Sequence, residues 1–234
     1  MVDAVIVGAG SGTRLGHDTP KAFVDLCGKP ILYYSLTVFN SHPVIDNIIL
    51  VVSPAMIDEA KAIVNKYCFT EGKISVVAGG HERWQSVQNG IAPSTADWVL
   101  IHDAARPFVT HAVINSVLDM SERFNCAITA TPEVDTMRTF QPDGRCGVTI
   151  DRSRVLRVGT PQMFRREFLV IAFDEVKGMH TPPTDEAALF ESQGVPIGYA
   201  WGDPLNFKIT TETDLMIARA LIEQNQHQQR AGDG

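Results

Sequence analysis

The sequence contains few cysteines, and they are widely separated. Cys27, Cys68, Cys126 and Cys146 are the four cysteines among 234 residues, and no two of them form a Cys-x-x-Cys pair. This scarcity argues against a disulfide-stabilised secreted domain and against a cysteine-based metal site. We therefore expect a protein of the reducing cytoplasm, with cysteines that serve packing or lie at the surface.

Long apolar runs, a basic charge balance and a leader segment are also lacking. No apolar stretch approaches the length of a membrane span, so we expect no membrane partner. The formal net charge is −7, whereas a nucleic-acid-binding protein presents a basic surface, so we expect no nucleic-acid partner. The first residues, MVDAVIVGAG, have no basic region before the apolar segment, and we expect no signal peptide.

What is present is an ordinary globular composition, with 44% hydrophobic and 20% charged residues. Apolar β-rich runs alternate with helical patterns through the first half of the chain. A run such as Ile48 to Val52, which is apolar throughout, is typical of a parallel strand buried on both faces. We predict a three-layer α/β fold with a largely parallel sheet, with strands at 3–8, 47–53, 73–78, 97–102 and 126–131 and helices at about 30–40, 54–67, 81–92 and 111–124.

The pattern changes at 132–158, where apolar and polar residues alternate on both sides of the turn Pro142-Asp143-Gly144. This alternation predicts a β-hairpin arm. An isolated two-stranded ribbon is marginal in water, so we expect the arm to pack on something, such as the same arm of a second subunit. Elsewhere we predict helices at 165–177, 185–193 and 212–224, strands at 195–200 and 206–209, a single domain over 1–224 and a flexible tail at 225–234.

The loop after the first strand is the most informative segment. It contains Arg14, and Lys21 follows shortly after it. Glycine permits positive φ and close approach, so successive N–H groups of such a loop can point into one concavity and hold an anion. The two cations neutralise charge that peptide dipoles alone do not. The pattern predicts a triphosphate site built on four glycines, Gly8, Gly10, Gly12 and Gly16.

Spacing excludes two other glycine-rich loops. A P-loop requires Gly-Lys-Ser/Thr, but His17 follows Gly16. A dinucleotide-binding loop requires a third glycine that opens a helix, where this chain has Thr13 or Leu15. It also requires an acidic residue after the second strand, which here ends at Ser53. A purely structural turn between strand and helix remains the alternative.

A second charged segment follows the predicted strand at 97–102. Ligands of open parallel sheets bind at the carboxyl ends of the strands, so Asp103 and Arg106 are expected to face the same crevice as the glycine-rich loop. A carboxylate there can hold Mg²⁺, which takes few protein ligands and several phosphate oxygens. Arg106 offers a planar fork for a second phosphate. The alternative is a helix-capping aspartate beside a surface arginine. We expect His102 to pack or to support a neighbouring site residue, and not to be catalytic.

The segment from Gly8 to Gly16, followed by Pro20-Lys21 and by Gly28-Lys29-Pro30, resembles the signature loop of the sugar-phosphate nucleotidyltransferases. These enzymes join a nucleoside triphosphate to a sugar or polyol phosphate and release pyrophosphate. Two positions depart from the usual pattern. The chain has Gly8-Ala9-Gly10 where the family has Ala-Ala-Gly, which is a small-for-small change, and Ala22 where many members have Gln.

Further segments resemble one branch of that family, the cytidylyltransferases that act on methylerythritol phosphate. The resemblance rests on His102-Asp103-Ala104-Ala105-Arg106-Pro107 and on Gly79-Gly80-His81-Glu82-Arg83-Trp84-Gln85-Ser86-Val87. It makes the second segment the cytosine site, although the Gly-Gly pair alone indicates a simple turn before a helix. The chain also matches the branch at Thr160-Pro161-Gln162, at Thr184-Asp185-Glu186, where we take Asp185 as structural, and at Asn206-Phe207-Lys208-Ile209-Thr210.

The resemblance implies a role for individual residues. Catalytic side chains are expected to be Arg14, Lys21 and Lys208, with Mg²⁺ on Asp103. The polyol phosphate is expected to meet Arg106, Thr136, Arg152 and Thr160. Of these, Thr136 and Arg152 lie in the predicted arm, and the resemblance implies that they reach the substrate of a partner subunit in a homodimer. CTP is expected to contact Gly8, Ala9, Gly10, Ser11, Gly12, Gly79, Gly80, Ser86, Asp103 and Ala104.

The expected reaction takes CTP and 2-C-methyl-D-erythritol 4-phosphate to the CDP-linked polyol and pyrophosphate. Two rivals remain. A ribitol 5-phosphate cytidylyltransferase has a similar fold and CTP loop and differs mainly in the polyol pocket. A non-catalytic nucleotide-binding regulator on the same scaffold is expected to have lost the charged residues, which this chain retains.

Overall fold

A seven-stranded sheet forms the centre of the protein. The computed structural model describes residues 1–10, 19–67, 69–176 and 183–232. The strand order is β11-β7-β10-β6-β1-β4-β5, and β10 runs antiparallel to both of its neighbours while the other pairs are parallel. The strands are β1 (Val2–Val7), β2 (Asp25–Leu26), β3 (Lys29–Pro30), β4 (Asn47–Val52), β5 (Ile74–Ala78), β6 (Trp98–Asp103), β7 (Cys126–Pro132), β8 (Met137–Phe140), β9 (Cys146–Ile150), β10 (Leu156–Arg165) and β11 (Gly198–Trp201).

Helices cover both faces of this sheet. Successive side chains of a strand point to opposite faces, so Ile6 enters the core on one side and Val5 the core on the other. One core is closed by α1 (Ile31–Ser41), α2 (Ile57–Lys66) and α4 (His111–Leu118), and the other by α3 (Arg83–Ile91), α5 (Arg166–Val176) and α6 (Ala187–Ser192). The predicted α/β fold with a largely parallel sheet is confirmed.

The last helix, α7 (Glu212–Gly232), packs on a smaller cluster beside the sheet. Its Leu215, Ala218 and Ile222 contact a group that includes Leu26 and Ile31. We expected this helix to end at 224, but it continues through the first residues of the predicted tail to Gly232. Polar residues after 224 carry no apolar stripe, which is why the sequence pattern stopped too early.

The predicted strand at 206–209 is wrong. Residues 206–210, all of which the structure describes, have no regular secondary structure. Single hydrogen bonds fasten this segment instead. The Ile209 N–H donates to the Ala105 carbonyl at 2.9 Å, and Arg106 Nη1 donates to the Asn206 carbonyl at 3.0 Å. The segment is thereby held against the loop that follows β6.

The arm is shorter than predicted. Strands β8 and β9 pair antiparallel in a separate two-stranded sheet, joined by a turn in which Gly144 has φ +87°. Residues from Leu156, which we assigned to the arm, instead begin β10 and pair with β7 in the main sheet. The ribbon leaves apolar side chains in solvent, with Phe140 exposed to 85% and Val148 to 72%.

Among the described residues, none of the helices has the length and apolar character needed to cross a bilayer.

Candidate active site

Three loops meet at the carboxyl ends of neighbouring parallel strands. The Gly8 N–H donates to the Val51 carbonyl at 2.7 Å, and the Gly79 N–H donates to the Val52 carbonyl at 2.7 Å. The Ala104 N–H donates to the Val7 carbonyl at 2.9 Å. The loops after β1, β5 and β6 are thus drawn to one edge of the sheet, the usual place for a ligand in an open α/β fold.

A cleft of about 160 Å³ lies between these loops. We call it the glycine-loop cleft, and its lining is Val7, Gly8, Ala9, Gly10, Lys21, Ala22, Gly80, His81, Glu82, Arg83, Ser86, Asp103, Ala105 and Lys208. Six of the residues predicted to bind CTP line the cleft, together with the predicted catalytic residues Lys21 and Lys208; the six are Gly8, Ala9, Gly10, Gly80, Ser86 and Asp103. Ala104 lies just beneath the cleft, buried against Gly8.

Position 79 has no room for a side chain, because the loops after β1 and β5 are in contact there. A Cβ at this position would lie 2.5 Å from the Ala9 Cβ and 2.8 Å from the Ser86 Oγ, closer than real atoms approach. Ser86 itself is buried, and its Oγ accepts from the Gly80 N–H at 3.1 Å. A capping box between Glu82 and Gln85 then starts α3. The predicted cytosine-reading segment is therefore a tightly fixed turn that presents backbone groups to the cleft.

Asp103 lies at the end of β6 among three cations. Lys208 Nζ lies 2.9 Å from its Oδ2, with Arg106 Nε at 3.7 Å from the same oxygen. Arg83 approaches Oδ1 at 3.4 Å. Burial raises the pKa of Asp103, but the charges of Arg83, Lys208 and Arg106 outweigh burial and hold the pKa well below its usual range. Arg83 is shared with a second carboxylate, described next, but Arg106 and Lys208 still carry more positive charge than Asp103 neutralises, which favours an anionic ligand.

Arg83 makes a second ion pair that the sequence reasoning missed. Its Nη1 lies 2.7 Å from both carboxylate oxygens of Glu186, whose side chain is 1% exposed. Burial lowers the pKa of Arg83, but the negative charges of Glu186 and Asp103 outweigh burial and raise the pKa above its usual value. The guanidinium therefore stays charged. Burial raises the pKa of Glu186. Both residues stand inside matched segments, Gly79–Val87 and Thr184–Glu186, so the signal was present but not interpreted.

Thr160 and His102 fix the backbone of Asp103. A carbonyl only accepts, so His102 Nε2 donates to the Arg106 carbonyl, 3.2 Å away, and Nδ1 is the acceptor. The Thr160 hydroxyl donates to that Nδ1 at 3.1 Å and accepts from the Asp103 N–H at 3.1 Å. Burial lowers the pKa of His102 to about 4, so the imidazole is neutral. Of the two roles expected for His102, its hydrogen bonds match the supporting one, because they orient the loop after β6.

A second cavity, of about 270 Å³, is lined by Arg106 and Lys208. We call it the arginine cavity because Arg106 and Arg157 both line it, and its other walls come from residues 129–131, 158–159 and 202–214. Asn206 closes it by donating to the Thr160 carbonyl at 2.8 Å. Arg157 is a further residue that the sequence reasoning missed. Lys208 lines both cavities and therefore stands between their contents.

The remaining predicted residues lie apart. Thr136 and Arg152 belong to the arm, where Arg152 Nη1 donates to the Val134 carbonyl. Neither residue lines the glycine-loop cleft or the arginine cavity in the part of the chain that the structure describes. The predictions for Ser11, Gly12 and Arg14 fall outside the described residues.

The fold and its glycine-loop cleft define the class of α/β nucleotidyltransferases. The sequence model of the 2-C-methyl-D-erythritol 4-phosphate cytidylyltransferase family matches residues 2–224. The chain belongs to this family.

Relatives along nearly the whole chain support the assignment. A Syntrophus aciditrophicus protein of that name is 36% identical over 228 residues, which cover 96% of this chain and 97% of the relative. A Dehalococcoides mccartyi protein of the same name is 38% identical, with 95% and 96% covered.

Solved structures agree. The 4-diphosphocytidyl-2C-methyl-D-erythritol synthase of Anaerococcus prevotii superposes with a TM-score of 0.83 at 28% identity, covering 95% of this chain and 98% of that one. The 2-C-methyl-D-erythritol 4-phosphate cytidylyltransferase of Thermus thermophilus superposes with a TM-score of 0.77 at 26% identity, covering 94% and 98%.

Proposed function

We propose that the protein transfers CMP from CTP to 2-C-methyl-D-erythritol 4-phosphate, giving 4-diphosphocytidyl-2-C-methyl-D-erythritol and pyrophosphate in isoprenoid precursor synthesis. Family membership supports the reaction. The observation that carries it in the structure is the position of Lys208, which contacts Asp103 and lines both the glycine-loop cleft and the arginine cavity. One cavity then takes the nucleotide and the other the acceptor, and the two phosphates meet at Lys208.

The chemistry needs little beyond alignment and charge. The phosphate of the acceptor is a dianion near neutral pH, so its oxygen attacks the α-phosphorus of CTP without a general base. The bond between the α-phosphorus and the bridging oxygen breaks, and pyrophosphate leaves with the electron pair. Lys21 and Lys208 in the cleft, with Arg14 from the glycine-rich loop, neutralise the charge on the phosphates in the transition state.

We propose Asp103 as the protein ligand of Mg²⁺. Among the described residues, no group of three or more His, Cys, Asp and Glu side chains is arranged to hold a metal ion. The Asp103 carboxylate lines the glycine-loop cleft and is an oxygen donor of the kind that Mg²⁺ takes, since this ion completes its shell with phosphate oxygens and water. When bound, the ion supplies positive charge to the triphosphate. Lys208, which now contacts Asp103 at 2.9 Å, would then contact phosphate oxygens and leave Asp103 Oδ2 to the ion.

We propose that the acceptor phosphate lies in the arginine cavity against Arg106, next to Thr160, whose carbonyl holds the lining residue Asn206. The arm supports a homodimer, because Phe140 and Val148 leave apolar surface in solvent on a ribbon too small to be stable alone. In that dimer Thr136 and Arg152 of the partner subunit complete the acceptor site. We also propose a cytoplasmic location, supported by Cys27, Cys126 and Cys146, which the structure describes and which are free.

The test is a pyrophosphate-release assay with each nucleotide and each acceptor in turn. We expect turnover with CTP and 2-C-methyl-D-erythritol 4-phosphate, and much slower turnover with UTP, because fixed backbone groups of residues 79–86 would face a base edge that leaves them unpaired. Faster turnover with ribitol 5-phosphate would show that this compound is the acceptor. Equal rates with UTP and CTP would show that the enzyme is not specific for the cytidylyl group. CTP binding without turnover with either acceptor would favour the regulator.

A further inference from the structure

The buried Glu186 and the partly exposed Arg83 form an ion pair that no step of the proposed reaction uses. They come from α3 and from the residue before α6, 103 positions apart in sequence. We propose that Glu186 is a positioning residue: its carboxylate holds the guanidinium of Arg83, which in turn sets the orientation of the Asp103 carboxylate between donor and acceptor. This role rests on the proposed function, since Asp103 matters there only if phosphates meet at Lys208.

The geometry forms an ordered chain of contacts. Arg83 Nη1 donates to both carboxylate oxygens of Glu186 at 2.7 Å. Its Nε and Nη2 both donate to Oδ1 of Asp103 at 3.4 Å. The other oxygen of Asp103 faces Lys208 at 2.9 Å and Arg106 at 3.7 Å. Arg83 therefore contacts Glu186 on one side and Asp103 on the other, and it lies on a different oxygen of Asp103 from Lys208 and Arg106. A point charge in place of the planar fork could not hold both contacts.

A purely structural role explains these contacts less well. A buried ion pair loses solvation that its attraction barely recovers, and a well-packed apolar pair of similar volume holds two elements together at least as well. Arg83 moreover lines the glycine-loop cleft and also a third cavity, of about 270 Å³, shared with Asp103, Arg106 and Lys208. A charge held at the wall of both spaces is placed to act on what they contain.

The consequence concerns the moment when substrates bind. Phosphate oxygens draw Lys208 away from Asp103, and the carboxylate then loses its shortest contact. Arg83 is anchored from behind by Glu186, so it stays on Oδ1 and keeps the carboxylate plane fixed. Without the anchor, Arg83 is free to follow the phosphates, and Asp103 turns with it.

The test compares Glu186→Gln, Arg83→Met and the double variant Arg83→Met/Glu186→Met. We expect Glu186→Gln to lower kcat by about 10- to 100-fold, the usual loss when a group that orients a site residue is removed, with the KM for CTP within about twofold. Arg83→Met leaves Glu186 buried and unpaired, so its urea midpoint falls. The double variant is expected to recover the midpoint but to remain slow. Arg165→Ala, which breaks the exposed pair with Glu167, is the control and keeps both rate and midpoint.

Recovery of rate together with stability in the double variant would show that the pair is only structural. A second readout does not depend on turnover. The guanidinium of Arg83 is restrained in the wild-type protein, so its side-chain N–H groups are expected to give separate NMR signals. In Glu186→Gln we expect these signals to merge because the group rotates, and unchanged signals would overturn the proposal. Failure of the proposed function can be distinguished from failure of this proposal. In that case the wild-type protein would transfer CMP to neither polyol phosphate, whereas the NMR comparison would still report whether Glu186 restrains Arg83.

Discussion

His102 takes no part in the proposed reaction, but its protonation at low pH would disturb the loop that carries Asp103. Its ring is completely buried, accepts from Thr160 and donates to Arg106, so protonation breaks a hydrogen bond and places a charge in the core. The backbone of Asp103 is held by the same hydroxyl. The protonation state of one imidazole is therefore coupled to the position of the carboxylate at the centre of the site.

This coupling predicts a pH-dependent stability. Burial lowers the pKa of His102 to about 4, below the value of about 6.5 in the unfolded chain. Between these values the unfolded state binds more protons, so the free energy of unfolding falls as the pH drops through this window. From about pH 7.5 to about pH 5 we expect the wild-type protein to lose roughly 2 kcal/mol relative to His102→Gln, because the amide does not titrate.

Urea unfolding of both proteins at the two pH values measures the difference. Other titrating groups, such as Glu186 and Asp103, are common to both and cancel. Parallel pH dependences for the two proteins would contradict the assignment of a neutral buried imidazole.

At the scale of elements, the contact between the loops after β1 and β5 decides the width of the cleft. A Cβ on Gly79 would press on the Ala9 Cβ at 2.5 Å, an atom that cannot rotate away, so the loops must separate in Gly79→Ala. We expect a loss of about 1–3 kcal/mol in the free energy of unfolding and a higher KM for CTP. The measurements are urea unfolding and steady-state kinetics.

Gly10→Ala provides the matched control. Among the described residues, no heavy atom lies within 4 Å of the place where its Cβ would stand. Its stability is expected to stay the same or to rise slightly, because alanine restricts the unfolded chain. Equal destabilisation by the two substitutions would show that the Gly79 contact is not what holds the loops.

The sequence was a good guide to elements whose pattern is local and a poor one to elements defined by partners. The continuous apolar run of β4 predicted a buried parallel strand, and the structure has it. Residues 156–158 alternate like the arm before them, and only long-range pairing with β7 reveals that they belong to the main sheet. Residues 206–209 looked like a strand, but isolated bonds to the loop after β6 hold them instead.

The same distinction holds for the candidate site. Residues inside one motif, such as Gly8 and Asp103, could be predicted because the chain itself places them at the ends of strands. The pairing of Arg83 with Glu186 could not, since nothing in either motif states that they meet across 103 positions. Arg157 was missed for a related reason, because an exposed arginine in an alternating pattern is ordinarily a solvated residue.

At the scale of the whole molecule, the proposed dimer predicts complementation between two defective chains. Arg152→Ala removes the residue that an arm offers to its partner, and Lys208→Ala removes a residue of the cleft itself. Each variant alone is expected to be nearly inactive. In a mixed dimer one site has both residues and the other has neither, so activity is expected to recover to about half of the wild-type value.

The control mixes Lys208→Ala with Lys21→Ala, both in the glycine-loop cleft of a single chain. Each site of that mixed dimer lacks one lysine, so no recovery is expected. Absence of recovery in the Arg152→Ala mixture, with subunit exchange demonstrated by mass spectrometry, would mean that each arm serves its own subunit.

The two cavities are built from different halves of the chain. Of the described residues that line the glycine-loop cleft, all except Lys208 precede Arg106, whereas the arginine cavity takes its walls from Arg106 and from residues 129–214. The two halves of the gene are therefore under separate constraints. Selection for a different acceptor can rework the second half while the first keeps its nucleotide, provided that the contacts of Lys208 with Asp103 and of Glu186 with Arg83 survive. A fold divided in this way can evolve to form new products while it continues to use the same nucleoside triphosphate.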